Sequence, residues 1–262
     1  MHPHPRPRRR PVRTRRRGPS IARAAGFAPV CLSLLLCGCG LEVYDNLFAI
    51  SPDHILFSTS FVTFKHNLSN AGTAFLGYDL YYRLFDSSEA ALISPMRQEI
   101  ENLYLSSSGQ LSSDKYKFRK LVSSTQGESP YIDLRSPLAS EAITMNLDFG
   151  FIFSAGDPLD FPFIKAFKDS DPGTAIVNKQ LQRYIVPDLK TFRENDFEFG
   201  DADLPAVLAA PTAGKTVIMC ICVVAYGYDS SRNQNLISQA VFLTNPNYVD
   251  GGYGAFKITF TN

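Results

Sequence analysis

The stretch TVIMCICVVAYGYD, residues 216–229, decides how this chain folds. From Val217 to Tyr228 it is apolar at odd and even positions alike, and it carries no charge before Asp229. Such a run reads as a strand covered on both faces, one that belongs at the centre of a sheet. It also holds Cys220 and Cys222. In an extended strand two thiols two positions apart share a face at roughly 6.6 Å between Cα atoms, near the outer limit for a disulfide. With no histidine or third cysteine beside them, they read as buried free thiols acting as small hydrophobes rather than as a metal or redox pair.

Working outward, FLGYDLYYRLF (75–85) alternates with Leu76, Tyr78, Leu80, Tyr82 and Leu84 on one face and Asp79 and Arg83 on the other. ITMNLDFGFIF (143–153) puts Ile143, Met145, Leu147, Phe149, Phe151 and Phe153 together, and FKITF (256–260) does the same for Phe256, Ile258 and Phe260. Period-two alternation of this kind predicts half-buried strands. Further strand candidates are 55–65, 117–123 and 236–244. Two segments read as helices. SPMRQEIENLYL (94–105) offers Ser94 as N-cap, Pro95 at the first helical position and a stripe of Met96, Ile100 and Leu103. The second, 174–186, aligns Val177, Leu181 and Tyr184 and stops at Pro187. Strands of this length separated by Gly-, Pro-, Ser- and Asn-rich turns predict a mainly β chain built as a β-sandwich.

Charge is distributed unevenly. Residues 1–38 hold nine arginines and no acid, which leaves 17 basic residues against 25 acidic ones from Cys39 onward, a net charge of −8. An acidic body lacks the basic stripe that a nucleic-acid backbone requires, so nucleic acid is not an expected partner. A basic start followed by a short apolar run, about residues 24–36, has the layout of a secretory signal and is too short to span a bilayer. The run ends in Leu36, Cys37, Gly38, Cys39. This segment resembles the lipobox of bacterial lipoprotein precursors: Leu, a tolerant position, Gly or Ala, then Cys. The resemblance implies cleavage before Cys39, diacylglycerol on its sulfur and acylation of its amine. It therefore implies anchoring in a lipid bilayer, in the cell envelope, facing the periplasm or the exterior. The expected organisation is a signal peptide over 1–38, a lipidated cysteine and tether over 39–54, and a sandwich over 55–262.

The segments GYDLYYRLFD, CVVAYGYDSS and ISQAVFLT resemble the middle and closing strands of fibronectin type III and immunoglobulin-like domains, over 55–86 and 216–244. The chain contains no Trp, whereas those families typically carry one in the core. The resemblance implies that residues 87–215 form an inserted α/β segment bearing both helices.

Chemical motifs are sparse. AAPTAGKT (209–216) matches a permissive phosphate-loop spacing, but such a loop needs a following helix to aim its N–H groups at the phosphate, and strand-like residues follow here. RENDFEFGDADLP gathers Glu194, Asp196, Glu198, Asp201 and Asp203, alternating with Phe197 and Phe199. A calcium ion accepts such oxygen ligands, yet the spacing is not that of an EF-hand, and the segment reads as an exposed acidic loop stapled by two aromatics. Of the histidines after Cys39, His54 and His66, neither sits in a nucleophile motif, and Asp53–His54 reads as a turn before the first strand. No catalytic residue, metal site or cofactor is assigned. Tyr248 and Tyr253 in NPNYVDGGYG are the candidate binding loop, set against packing within a turn. The expected role is non-enzymatic, either binding a protein or glycan partner or organising the envelope. The rival is a periplasmic hydrolase or glycan-processing enzyme that uses carboxylates of the inserted segment.

Overall fold

The computed structural model describes residues 46–58, 61–72, 74–123, 129–148, 163–192, 196–198, 200–205, 214–244 and 256–259. The chain is mainly β and forms a β-sandwich of antiparallel sheets. One sheet is built on β3 (Phe75–Asp86) and β11 (Thr216–Asp229), which pair along almost their whole length from Val217↔Asp86 to Gly227↔Phe75. The far edge of β11 is covered in succession by β14 (Phe256–Thr259), β13 (Val241–Phe242) and β12 (Gln234–Ile237). On the far edge of β3 lie β4 (Arg119–Lys120) and β5 (Ile132–Asp133). The second sheet runs in the order β1 (Ile55–Phe57), β2 (Phe61–Lys65), β6 (Ile143–Asp148), β7 (Phe163–Lys168), β8 (Asp171–Gln180). A separate ribbon pairs β9 (Arg183–Ile185) with β10 (Asp188–Lys190).

Residues alternate across the β3–β11 pair, and each face has its own cover. Tyr78, Leu80, Tyr82 and Leu84 join Met219, Ile221, Val223 and Ala225 in the main core, where they meet Val62, Phe64, Met145, Leu147 and Ile164 of the second sheet. On the opposite face Tyr81, Phe85, Ile218, Cys220, Cys222 and Val224 are buried beneath α1 (Ile93–Glu101) and the loop that follows it. β3 is therefore covered on both faces, not half-buried as its polar residues suggest. Asp79 is buried and bonded to the Tyr131 N–H at 2.8 Å and to Lys120 at 2.9 Å. Leu76 is also displaced from its predicted face. The pairing skips it between Tyr226↔Gly77 and Gly227↔Phe75, and this bulge sends Phe75 into the core instead. Glycine is required on both strands there. A Cβ on Gly77 would stand 1.9 Å from the Ile132 carbonyl oxygen, and one on Gly227 would stand 2.2 Å from that of Ala74.

Both cysteines of β11 are free and buried, as the strand reading requires. Burial pushes the Cys220 thiol up to about 12 and raises that of Cys222, which keeps both protonated. Phe149, Phe151, Phe153 and Phe260 lie outside the described residues.

The helix predictions divide. α1 forms, and its Met96 and Ile100, with Leu103 just beyond its end, pack under β3 and β11. Ser94 is not its N-cap, however. A 3-10 turn, Ser87–Leu92, already leads into it, and that turn is nucleated by Asp86, which accepts the Ser88 N–H while Glu89 reaches back to the Asp86 N–H. Pro95 still falls in the first turn, where its missing N–H costs nothing. The predicted helix over 174–186 is absent, and these residues form the end of β8 and then β9. Val177 and Leu181 are buried in the main core as expected of an apolar stripe, but β7 offers a ladder of backbone partners and that pairing overrides the helical spacing. Among the described residues of 87–215 there is consequently one α-helix, and the segment supplies three of the five strands of the second sheet. Packing begins before Ile55. Ile50 is buried, and the Phe48 backbone exchanges two 2.7 Å hydrogen bonds with the Asn70 side chain.

His66 links three segments. Its Nε2 faces the Ala139 carbonyl oxygen at 2.8 Å, and since a carbonyl only accepts, Nε2 carries the proton. Nδ1 then accepts from the Tyr78 hydroxyl at 2.8 Å, and that hydroxyl oxygen accepts the Asn67 N–H. Burial lowers the His66 pKa against the raising effect of the Ala139 bond. The native state thus binds fewer protons than the unfolded chain just below the ordinary imidazole value of 6.5, so stability is full above that pH and falls as pH drops through it.

Urea unfolding should therefore show a lower midpoint at pH 5.5 than at pH 7.5, and H66N should flatten this difference. A midpoint that does not move between the two pH values contradicts the assignment. For the sheet, I221A should cost about 2–5 kcal/mol of stability. L56A, at a position 66% exposed, should stay within about 0.5 kcal/mol of the parent.

Candidate functional site

The β9–β10 ribbon sets Arg183 directly opposite Lys190. Two cations in cross-strand register repel unless an anion lies between them. Asp201 fills that role, with one carboxylate oxygen 3.0 Å from Arg183 Nη2 and the other 2.6 Å from Lys190 Nζ. Arg183 is wholly buried, and every arm of its guanidinium is engaged. Nε donates to the Thr191 carbonyl at 2.8 Å, Nη2 donates to the Asp196 carbonyl, and Nη1 donates to both oxygens of Asp203 at 2.9 and 3.2 Å. The Phe197 ring lies 3.7 Å from the guanidinium carbon, and the Tyr82 hydroxyl of β3 completes Asp203 at 2.8 Å. Phe192 meets the Tyr82 ring edge-on.

Protonation states follow from these contacts. Burial raises the Tyr82 phenol well above its ordinary range, and the Asp203 charge adds to this, so Tyr82 is the donor. Burial pushes the Asp201 carboxyl up, but the Lys190 bond, the Glu198 N–H and the two cations outweigh it and hold the group below the usual carboxylate range. The acidic segment is thus the counter-charge of a buried arginine. This corrects the exposed acidic loop predicted for it: Asp201 and Asp203 are 4% and 2% exposed, and Phe197 stacks rather than staples. Asp196 accepts from the Thr191 N–H at 3.1 Å and from its hydroxyl. Among the described residues, no group of three His, Cys, Asp or Glu side chains stands at metal-binding distances.

This network fixes one wall of a cleft of about 710 Å³. Residues 202–205 and Tyr184 form that wall, and the segment 112–120 forms the other. Four cations line the cleft: Arg83, Lys117, Arg119 and Lys120. Arg119 reaches across to the Ala202 carbonyl at 2.6 Å, while Arg83 donates to the Tyr116 carbonyl at 2.8 Å and stacks over Phe85. Both are thus oriented by neutral carbonyls. Lys120 is paired with Asp79, and Lys117 is exposed with a backbone φ of 55°. Three acids also line the cleft: Asp203 is neutralised by Arg183, Glu89 caps the turn after β3, and Asp114 is exposed. The second wall is tied to α1, where Glu99 accepts from the Tyr116 hydroxyl at 2.9 Å and from Lys115.

Leu36, Cys37, Gly38 and Cys39 lie outside the described residues, as do Tyr248 and Tyr253 of the candidate loop. Glu194, Phe199 and Ala209 do too. Gly214 is a turn residue, Thr216 opens β11, and the phosphate-loop spacing leads into a strand. Asp53 and His54 form a short 3-10 turn before β1. Of the cleft cations, Arg83 is marked in the sequence only as a polar-face residue of its strand, and none carries a functional signal there. Arg183 was hidden inside the mispredicted helix, although the run RYIVPDLK carries a Pro-Asp turn between alternating residues, which is a hairpin signal. Comparison with protein-family models, curated proteins and solved structures gives no match to this chain.

Replacing Arg183 by Met leaves Asp201 and Asp203 buried with much of their compensating charge gone, and this should cost about 3–5 kcal/mol. Chemical denaturation measures it. A loss under about 1 kcal/mol would mean that the cluster is not a closed structural unit.

Proposed function

We propose that this chain is an exported lipoprotein, acylated at Cys39 and held on a cell-envelope bilayer, whose sandwich is a non-enzymatic binding module for an anionic protein or glycan. The observation that carries the binding role is the cleft. In a body with net charge −8 from Cys39 onward, four cations line one concavity beside three acids; Lys120 is paired with Asp79 and Asp203 with Arg183, while Arg83 and Arg119 are oriented by backbone carbonyls. An anionic group entering the cleft gains charge-assisted hydrogen bonds to guanidinium groups that are already positioned. The carboxylates a hydrolase would draw from this region, Asp201 and Asp203, are committed to Arg183 and Lys190. Asp201 is moreover held on the acidic side of its range, the wrong direction for a general acid at neutral pH. The anchoring is supported by the arginine-rich start and the Leu36–Cys39 pattern. Several acyl chains, at about 0.8 kcal/mol per buried methylene, hold a protein on a bilayer almost permanently.

Two measurements test the reading. Intact mass of the natively expressed protein should show acylation at Cys39, and the protein should partition into detergent. C39A should move to the aqueous phase. Titration calorimetry with a polyuronate oligosaccharide should detect binding that K117E/R119E weakens at least about tenfold. Equal binding by parent and double variant would remove the cleft from the account.

A further inference from the structure

Phe48 and Leu68 are large apolar side chains left 50% and 49% exposed, and both sit where the chain enters the sandwich. The two segments that carry them are locked together. The Phe48 N–H donates to Asn70 Oδ1 and Asn70 Nδ2 donates to the Phe48 carbonyl, each at 2.7 Å, while Asn67 Nδ2 donates to the Ala49 carbonyl at 2.7 Å. Asn70 is itself buried, and the turn Leu68–Asn70 is capped by Asn67. Burying either side chain by a local shift would break these bonds, so both are held outward.

This end of the molecule is also the one nearest Cys39 along the chain. Leu47, which packs on the main core beside Gly227, is eight residues after Cys39. Eight residues at full extension reach about 28 Å. Resting on the lipoprotein reading above, we infer that Phe48 and Leu68 form a bilayer-contact patch that seats the sandwich end-on against the lipid surface to which Cys39 is anchored. Two side chains alone would bind a membrane weakly. Once the acyl chains confine the domain within that reach, contact becomes an intramolecular event at high effective concentration, and a small affinity is enough. Aromatic and aliphatic side chains at the headgroup boundary suit such a contact.

The arrangement also orients the cleft. Gly227, beside Leu47, pairs with Phe75 at the start of β3, whereas Arg83 of the cleft lies eight residues further along that strand. At about 3.3 Å per residue, the cleft stands roughly 26 Å along β3 from the anchored end. End-on seating therefore presents it away from the lipid.

Because the chain contains no tryptophan, a single introduced one is a unique reporter. The full acylated protein carrying F48W or L68W is reconstituted in phosphatidylethanolamine/phosphatidylglycerol vesicles containing brominated acyl chains. L92W, 55% exposed at the end of the turn that follows β3, is the control. The expected result is at least about twofold stronger quenching, with a blue-shifted emission, for F48W and L68W than for L92W. Circular dichroism of each variant confirms that it is folded. Acylation confirmed by mass with equal quenching at all three positions overturns the seating and leaves the lipoprotein reading intact. Absence of the acyl mass overturns both.

Discussion

Everything in this fold depends on the antiparallel pairing of β3 with β11, twelve residues against fourteen. The two strands supply each other's backbone partners along one edge, so their interiors are apolar without leaving buried N–H or C=O groups orphaned. That ladder is what allows both faces to be covered. One face packs on a second sheet, the other beneath a helix and a long loop. The shorter strands β12, β13 and β14 finish the far edge of β11 piecewise, and none of them is long enough to be the spine itself.

Among the described residues buried polar side chains enter this body with partners, Asn146 Oδ1 excepted, and Arg183 is the clearest case. Moving an unpaired guanidinium out of water costs several kcal/mol, and here the cost is offset by two carboxylates, two carbonyls and an aromatic face. Through Tyr82 the cluster is fastened to β3, so the ribbon β9–β10 and residues 196–198 and 200–205 are tied to the main sheet although little ladder joins them to it. His66 does similar work at the other end with neutral groups, joining the turn after β2, β3 and the 138–140 turn.

The proposed function follows from this division of the molecule. The end near the chain entry carries the outward Phe48 and Leu68, whereas the cleft lined by Arg83, Lys117, Arg119 and Lys120 lies toward the far end of β3, between the arginine-held wall and the loop pinned to α1. On the proposed reading, these features make a binding module tethered at one end and open at the other. The rigidity of the cleft wall has a purpose on that reading, because pre-positioned donors lose little freedom when an anion arrives.

The sequence by itself determined the mainly β class, the central place of residues 216–229, the buried state of Cys220 and Cys222, the apolar stripe of α1 and the core side of Ile143, Met145 and Leu147. All of these are local: alternation and run length show which side chains seek burial. Only the tertiary structure decided that residues 174–180 are strand, that Leu76 is bulged out of the core side, that Asp79 is buried, and that residues 87–215 supply three of the five strands of the second sheet. It also decided the cleft. Arg183, Asp203, Tyr82, Arg83 and Arg119 are separated by up to 121 positions and meet through strand pairing, and no spacing rule in the chain encodes which charge will neutralise which. Backbone pairing and charge compensation are properties of neighbours in space. A one-dimensional pattern reports burial, but it is silent on partners.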